Sequence, residues 1–196
     1  MRFFTLILMV LVFINGFMHA MIDPKQLEVR DYLYADQRST GFIKSVIDRD
    51  GKALGCDWQY MEPYLTYEGY KTLVVYKSKV GGCEPQPIAF LNYSFNDPHN
   101  IAEYTNMHAL IHVMGVKQAY RQCGYARWLM TYLLSKWAQC DIKCNVVLFI
   151  KQQNEAAKKL FAQFGFTCIR EDKKNQRLLM SVQSAADAID AMRPKD

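Results

Sequence analysis

VMGVKQAYRQCGYARWLM, residues 113–130, changes period halfway along. Its first residues close an apolar, β-branched run, HALIHVMGV (108–116), which reads as a strand. Beyond it Trp128, Leu129, Tyr132, Leu133 and Trp137 recur at helical spacing, which predicts an amphipathic helix from about Tyr125 to Ala138. Between the two lies a tight turn with Arg121, Gly124 and Ala126. A strand-turn-helix junction exposes successive backbone N–H groups and the positive end of the helix dipole, and together these bind a phosphate. Gly124 lets the backbone approach an anion closely, Ala126 keeps the first helical turn uncrowded, and Arg121 adds charge. Arg-x-x-Gly-x-Ala also occurs in plain solvated turns, so the surrounding elements decide its meaning.

Downstream, NVVLFI (145–150) is a short, wholly apolar run, the mark of a strand buried on both faces. Asn154 is placed to cap a helix whose apolar face is Ala157, Leu160, Phe161 and Phe164, with Gly165 at its end. FTCIR (166–170) and QRLLMSV (176–182) flank EDKKN as a closing hairpin, and residues 185–192 add a short helix. Upstream, KTLVVYKS (71–78) and PIAFLNYSF (87–95) predict adjacent antiparallel strands, joined by a loop with Gly81 and Gly82. A turn-forming stretch, 96–100, precedes the 108–116 strand. In the least readable part, 21–70, LEVRDYLY (27–34) suggests a first strand and DQRSTGFIKSVIDRDG (36–51) a helix closed by Gly51. The sum is an α/β (α+β) chain with a mixed sheet flanked by helices.

The segment from Leu110 to Phe166 resembles the GNAT N-acetyltransferase superfamily. It carries a fourth strand ending at Val116, the turn Arg-Gln-Cys-Gly-Tyr-Ala (121–126), a helix, a fifth strand and the asparagine-led helix NEAAKKLFAQFGF (154–166). The resemblance implies a mostly antiparallel central sheet with a splay between strands four and five. It also implies acetyl-CoA as cosubstrate, its pyrophosphate held by Arg121, Gln122, Cys123, Gly124, Tyr125 and Ala126 and a further contact from Asn154, whose other reading, a plain helix cap, is compatible with that contact. Gly115, odd inside a strand, marks either a bulge or a close backbone approach. In the resembled family this strand is bulged, so backbone N–H groups around Met114 to Val116 would face the thioester, where an oxyanion develops.

His108 and His112 share a strand, where four residues span about 13 Å, too far to chelate one ion, so no metal site is expected. His112 suits a different task. The acceptor amine must be neutral to attack, and an imidazole of ordinary pKa near 6.5 can take its proton. In one branch of the resembled family, histidines of this strand assist that deprotonation; His112 matches one of them, and His108 lies two residues beyond the other. The competing reading of His112 is a structural histidine. Phe161 stands where many members place a tyrosine that protonates the leaving thiolate, which leaves Tyr125, Tyr132 or water to substitute. It also raises an alternative: an acyl-CoA-binding regulatory module with weak or no turnover. The expected reaction otherwise is transfer of acetyl to a primary amine by direct attack on the thioester. Cys123 lies in the phosphate turn, away from the expected thioester, and acyl-cysteine chemistry is not expected. The tyrosines Tyr60, Tyr64, Tyr67 and Tyr70 either line an aromatic acceptor pocket or pack a half-exposed loop. Glu62, Glu68 and Glu103 are acids without a signature.

With 51% hydrophobic and 22% charged residues among 196, the chain is globular and not disordered. Its net charge of +5, without a Lys/Arg block, gives no sign of nucleic-acid binding. Phe3 to Phe17 holds no charge and follows Arg2, and Ala20 follows it, as in a secretory signal peptide or an uncleaved anchor. Setting aside 20 of the 196 residues leaves 176, so residues 21–196 are expected to form one acetyltransferase domain, exported or anchored to a membrane through the front segment. The six cysteines, Cys56, Cys83, Cys123, Cys140, Cys144 and Cys168, are too sparse for a disulfide scaffold and do not fix the compartment.

Overall fold

The computed structural model describes residues 22–32, 36–54, 56–78, 84–95, 108–140, 144–173 and 177–192. The signal or anchor expected at 1–20 lies outside them, as do Gly81, Gly82, Cys83, the 96–100 turn and Glu103. Among the described residues no helix is long and apolar enough to cross a membrane. The strands are β1 (Leu27–Asp31), β2 (Tyr70–Lys77), β3 (Gln86–Phe95), β4 (His108–Val116), β5 (Asn145–Lys151), β6 (Thr167–Asp172) and β7 (Arg177–Val182). The helices are α1 (Gln37–Leu54), α2 (Trp58–Thr66), α3 (Tyr125–Gln139), α4 (Glu155–Ala162) and α5 (Ala185–Asp190).

The strands form one sheet in the order β1-β2-β3-β4-β5-β7-β6, antiparallel throughout except for the parallel pair β4/β5. Each face carries its own core, because strand side chains alternate between faces. On one side Leu129, Met130, Leu133, Leu134 and Trp137 of α3, with Phe161 and Phe164, cover Leu91, Ile111 and Leu148. On the other, Phe42, Ile43, Val46 and Ile47 of α1 and Met61 of α2 cover Val74, Phe90 and Val113. Leu129, Leu133 and Trp137 of the expected stripe lie on the buried face of α3, with Trp128 and Tyr132 half-buried beside them, and β4 spans the whole run read from its sequence.

Two local expectations are corrected. Gly51 does not close α1, which continues to Leu54; the chain folds back instead, and the Cys56 N–H donates to the Gly51 carbonyl at 3.1 Å. The Trp58 segment is a helix, not a loop: Asp57 caps it by accepting from the Tyr60 N–H at 2.8 Å, and Pro63 is accommodated inside it. At the start of α1, Asp36 accepts from the Arg38 and Ser39 N–H groups and from the hydroxyls of Ser39 and Tyr76. These donors, the Ser39 hydroxyl first, hold its carboxyl below the usual range.

Candidate active site

The site is built where β4 and β5 part. Their parallel pairing runs only from His108↔Asn145 to Ile111↔Leu148, after which β5 keeps its antiparallel partner β7 and β4 keeps β3. The wedge beyond Ile111 is an open cleft, lined by His112, Met114, Phe149, Lys151, Asn154 and Phe161 among others.

The bulge sits three residues earlier than Gly115. Asn92 pairs with Val113 and Tyr93 with Ile111, so His112 is the extra residue on β4. The insertion switches the faces: Ile111 packs in the α3-side core and Val113 in the α1-side core, though two residues apart they would otherwise share a face. Gly115 is instead the close approach. A Cβ there would lie 2.5 Å from Phe90 Cε1 and 2.8 Å from Val46 Cγ1, both core atoms, so only glycine lets β4 lie this close under α1.

Backbone direction follows from one hydrogen bond. The Lys117 N–H donates to the Ile88 carbonyl at 2.8 Å, and strand N–H groups alternate in direction. Gly115 therefore also faces β3, and the N–H groups of Met114 and Val116 face the open wedge. Met114 and Val116 are half-buried, consistent with that position at the cleft wall.

The turn after β4 reads Arg121 to Gly124. Gln122 takes φ +59° and Gly124 φ +86°, and Gly124 precedes α3 with no side chain capping the helix. The first-turn N–H groups at Tyr125, Ala126 and Arg127 thus lack the cap that other helices have, the arrangement that binds anions. Arg121 spends its guanidinium differently from expectation: it pairs with Asp50 of α1 and donates to the Val116 carbonyl at 3.2 Å, bracing the turn against α1 and β4. The hydrogen bond from Arg49, together with the Arg121 charge, holds the Asp50 carboxyl below its usual range. The Cys123 thiol donates to the Arg121 carbonyl at 3.3 Å. The Tyr125 side chain points into the core, 3% exposed, where its hydroxyl accepts from Lys77 at 3.1 Å, so only its backbone faces the turn. Asn154 caps α4, accepting from the Ala157 N–H at 3.0 Å, and also lines the cleft; the cap and a cofactor contact are compatible.

His112 is half-buried. Its Nε2 lies 2.8 Å from the Ser94 hydroxyl, and its ring packs against Tyr64 and Tyr70, each with centroids at 5.1 Å. Tyr60 extends the stack, 4.9 Å from Tyr64. Three of the four flagged tyrosines therefore gather at the site, and Tyr67 is exposed. Phe161 is in the cleft wall, packed on Phe166 at 5.5 Å, and supplies no hydroxyl there. Among the described lining residues only His112 and Lys151 carry titratable side chains.

Sequence reasoning passed over Ser94, Asn92, Asp50 and Lys151. A usable signal existed for two of them: Asn92 and Ser94 alternate as polar positions in PIAFLNYSF, and both are buried, at 0% and 2% exposure.

A model of the acetyltransferase (GNAT) family matches residues 55–166, more than half of the chain. No curated protein sequence matches the chain. Among solved structures, Arabidopsis thaliana NAA60 in complex with acetyl-CoA is 16% identical, with 80% of this chain and 97% of that chain covered at a TM-score of 0.59. A GCN5-related N-acetyltransferase from Kribbella flavida is 20% identical, covering 82% and 99%, at 0.59. Spermidine N-acetyltransferase from Vibrio cholerae, with CoA and spermine, is 14% identical, covering 83% and 98%, at 0.61. At these identities the likeness is one of fold.

Proposed function

Because the chain belongs to the acetyltransferase (GNAT) family, we propose that it transfers the acetyl group of acetyl-CoA to a primary amine by direct attack on the thioester. The observation that carries this reading is the wedge between β4 and β5, with the Met114 and Val116 N–H groups turned into it and β4 leading through the turn Arg121 to Gly124 into the uncapped start of α3. An extended thioester arm fits between the parted strands as an added strand would, and the turn 121–126 with the first N–H groups of α3 receives the pyrophosphate. Two structures alike in fold, one with acetyl-CoA and one with CoA and spermine, support a donor and acceptor of these kinds.

In the reaction the amine nitrogen bonds to the thioester carbonyl carbon, the C–S bond breaks and CoA leaves as thiolate. The N–H groups of the wedge stabilise the oxyanion that forms between these events. His112, oriented by Ser94, takes the proton that the amine nitrogen loses. With Phe161 in the wall, the thiolate leaves without a tyrosine donor; a thiol pKa of roughly 8.5 makes that departure tolerable. The same residue motivates the second reading, an acyl-CoA-binding regulatory module.

Mass spectrometry of the full chain with acetyl-CoA and a panel of alkylamines, arylamines and peptides tests the choice. The expected result is an amine heavier by one acetyl group with one free CoA thiol released per product. CoA binding without acetylation of any acceptor would leave only the regulatory module.

A further inference from the structure

Asp50 poses an electrostatic problem. Its carboxylate lies against the turn proposed for the pyrophosphate, where a negative charge opposes an anion. The side chain is nevertheless only 16% exposed and is held by two guanidinium groups, Arg49 of its own helix at 2.6 Å and Arg121 of the turn. An acid in this place must contribute more through what it holds than it costs through its charge.

What it holds is one side of the wedge. Val46, Asp50 and Ala53 recur at i, i+4 and i+7 and so share one face of α1. Val46 packs on Gly115 of β4, and Asp50 takes the Arg121 guanidinium. The Ala53 carbonyl accepts from Asn154 Nδ2 at 3.4 Å, at the junction of β5 and α4, and Ala53 lines the cleft with Leu54. This helix face therefore touches both walls of the wedge, where the pairing of β4 with β5 has ended at Ile111 and Leu148. Arg121 is tied to β4 as well. The Lys117 N–H donates to Ile88 of β3, so across the trans peptide the Val116 carbonyl points away from β3, and Arg121 Nε donates to it at 3.2 Å.

We propose that Asp50 is a positioning residue for the cofactor: by holding Arg121 between α1 and the end of β4, it fixes the turn Arg121 to Gly124 and the β4 wall in the arrangement that receives acetyl-CoA. This deepens the acetyl-transfer reading and rests on it for the identity of the ligand. Asp50 is not among the residues that line the cleft, so it acts on cofactor affinity and leaves the chemical step to His112.

Asp50→Asn tests this, because charge and position predict opposite signs. Removing an acid beside an anion site tightens binding if charge alone matters, whereas loss of the brace weakens it. Isothermal titration is expected to give about fivefold weaker acetyl-CoA binding, the scale of a charge-assisted hydrogen bond partly open to solvent, with KM for acetyl-CoA raised in step and kcat within about twofold. Asp50→Glu, which keeps an acceptor for Arg121, stays within about twofold of wild type in affinity. Asp48→Asn removes the same charge from the same helix at a carboxylate paired with Lys44 at 3.1 Å, and its affinity also stays within about twofold. In an Arg121→Gln chain, Asp50→Asn costs less than about twofold more, since the two changes break one interaction. Equal or tighter binding by Asp50→Asn overturns the proposal, and so does an undiminished loss in the Arg121→Gln chain or a fall in kcat at unchanged KM. A wild-type chain that binds no acetyl-CoA overturns the transfer reading instead. In that event amide exchange of the free chain decides the brace alone. Exchange about fivefold faster in Asp50→Asn at Arg121 and Trp128, whose N–H groups donate to the Gln118 and Gly124 carbonyls, supports it; unchanged exchange there, or equal acceleration throughout the chain, overturns it.

Discussion

Gly124→Glu is expected to weaken acetyl-CoA binding at least 100-fold while leaving the chain folded. Three effects add. Gly124 sits at φ +86°, where a side chain is strained by about 1 to 2 kcal/mol. A Cβ there would lie 3.1 Å from Ile22 Cδ1, a contact that a flexible side-chain end can relieve, so the turn shifts rather than unfolds. The third effect is the largest: a carboxylate enters the place proposed for the pyrophosphate, and like charges at a few ångströms cost about 4 kcal/mol at an effective dielectric of about 20. Gly124→Asn separates the causes, because asparagine tolerates the left-handed conformation and is neutral. It is expected to lose about tenfold or less. Isothermal titration with acetyl-CoA measures both; an unchanged affinity in Gly124→Glu would mean that the turn does not hold the cofactor.

His112→Gln is expected to lower kcat about 100-fold, at the lower end of what a positioned base contributes, with acetyl-CoA affinity little changed. Glutamine is chosen because the imidazole is packed between Tyr64 and Tyr70 and bonded to Ser94, so alanine would also open a hole in that stack. Glutamine keeps a hydrogen-bonding group for Ser94 and removes the titratable nitrogen. The part of the rising limb of the pH–rate profile that the imidazole contributes should disappear in the variant, leaving only the rise at higher pH that deprotonation of the acceptor amine itself produces. Undiminished kcat with an unaltered profile would return His112 to a structural part and leave the base to be found elsewhere.

What was legible in the sequence was whatever local pattern determines. The extent of β4, the buried stripe of α3, the Asn154 cap and the closing hairpin all follow from periodicity and capping chemistry, and the structure has each of them. The position of the bulge was not legible, because a bulge is a mismatch in register with another strand. Gly115 signalled something unusual on β4, but the extra residue is His112, set by how Asn92 and Tyr93 pair. Helix α2 was hidden by Pro63 and by four tyrosines whose spacing suits a loop as well as a helix. Arg121 reads as a free charge next to a phosphate turn, yet its partner Asp50 comes from a helix 71 residues earlier. The ring stack on His112 likewise joins α2, β2 and β4, and no short window of sequence contains it.

The central claim, that the parted strands and the start of α3 together receive acetyl-CoA, is tested most directly by NMR-detected amide hydrogen exchange with and without saturating acetyl-CoA. The N–H groups of Met114 and Val116 and those from Cys123 to Arg127 should exchange at least tenfold more slowly in the complex, since they gain hydrogen-bond acceptors that the free chain does not offer them. Unchanged exchange at these amides, or protection confined to another part of the sheet, would contradict it.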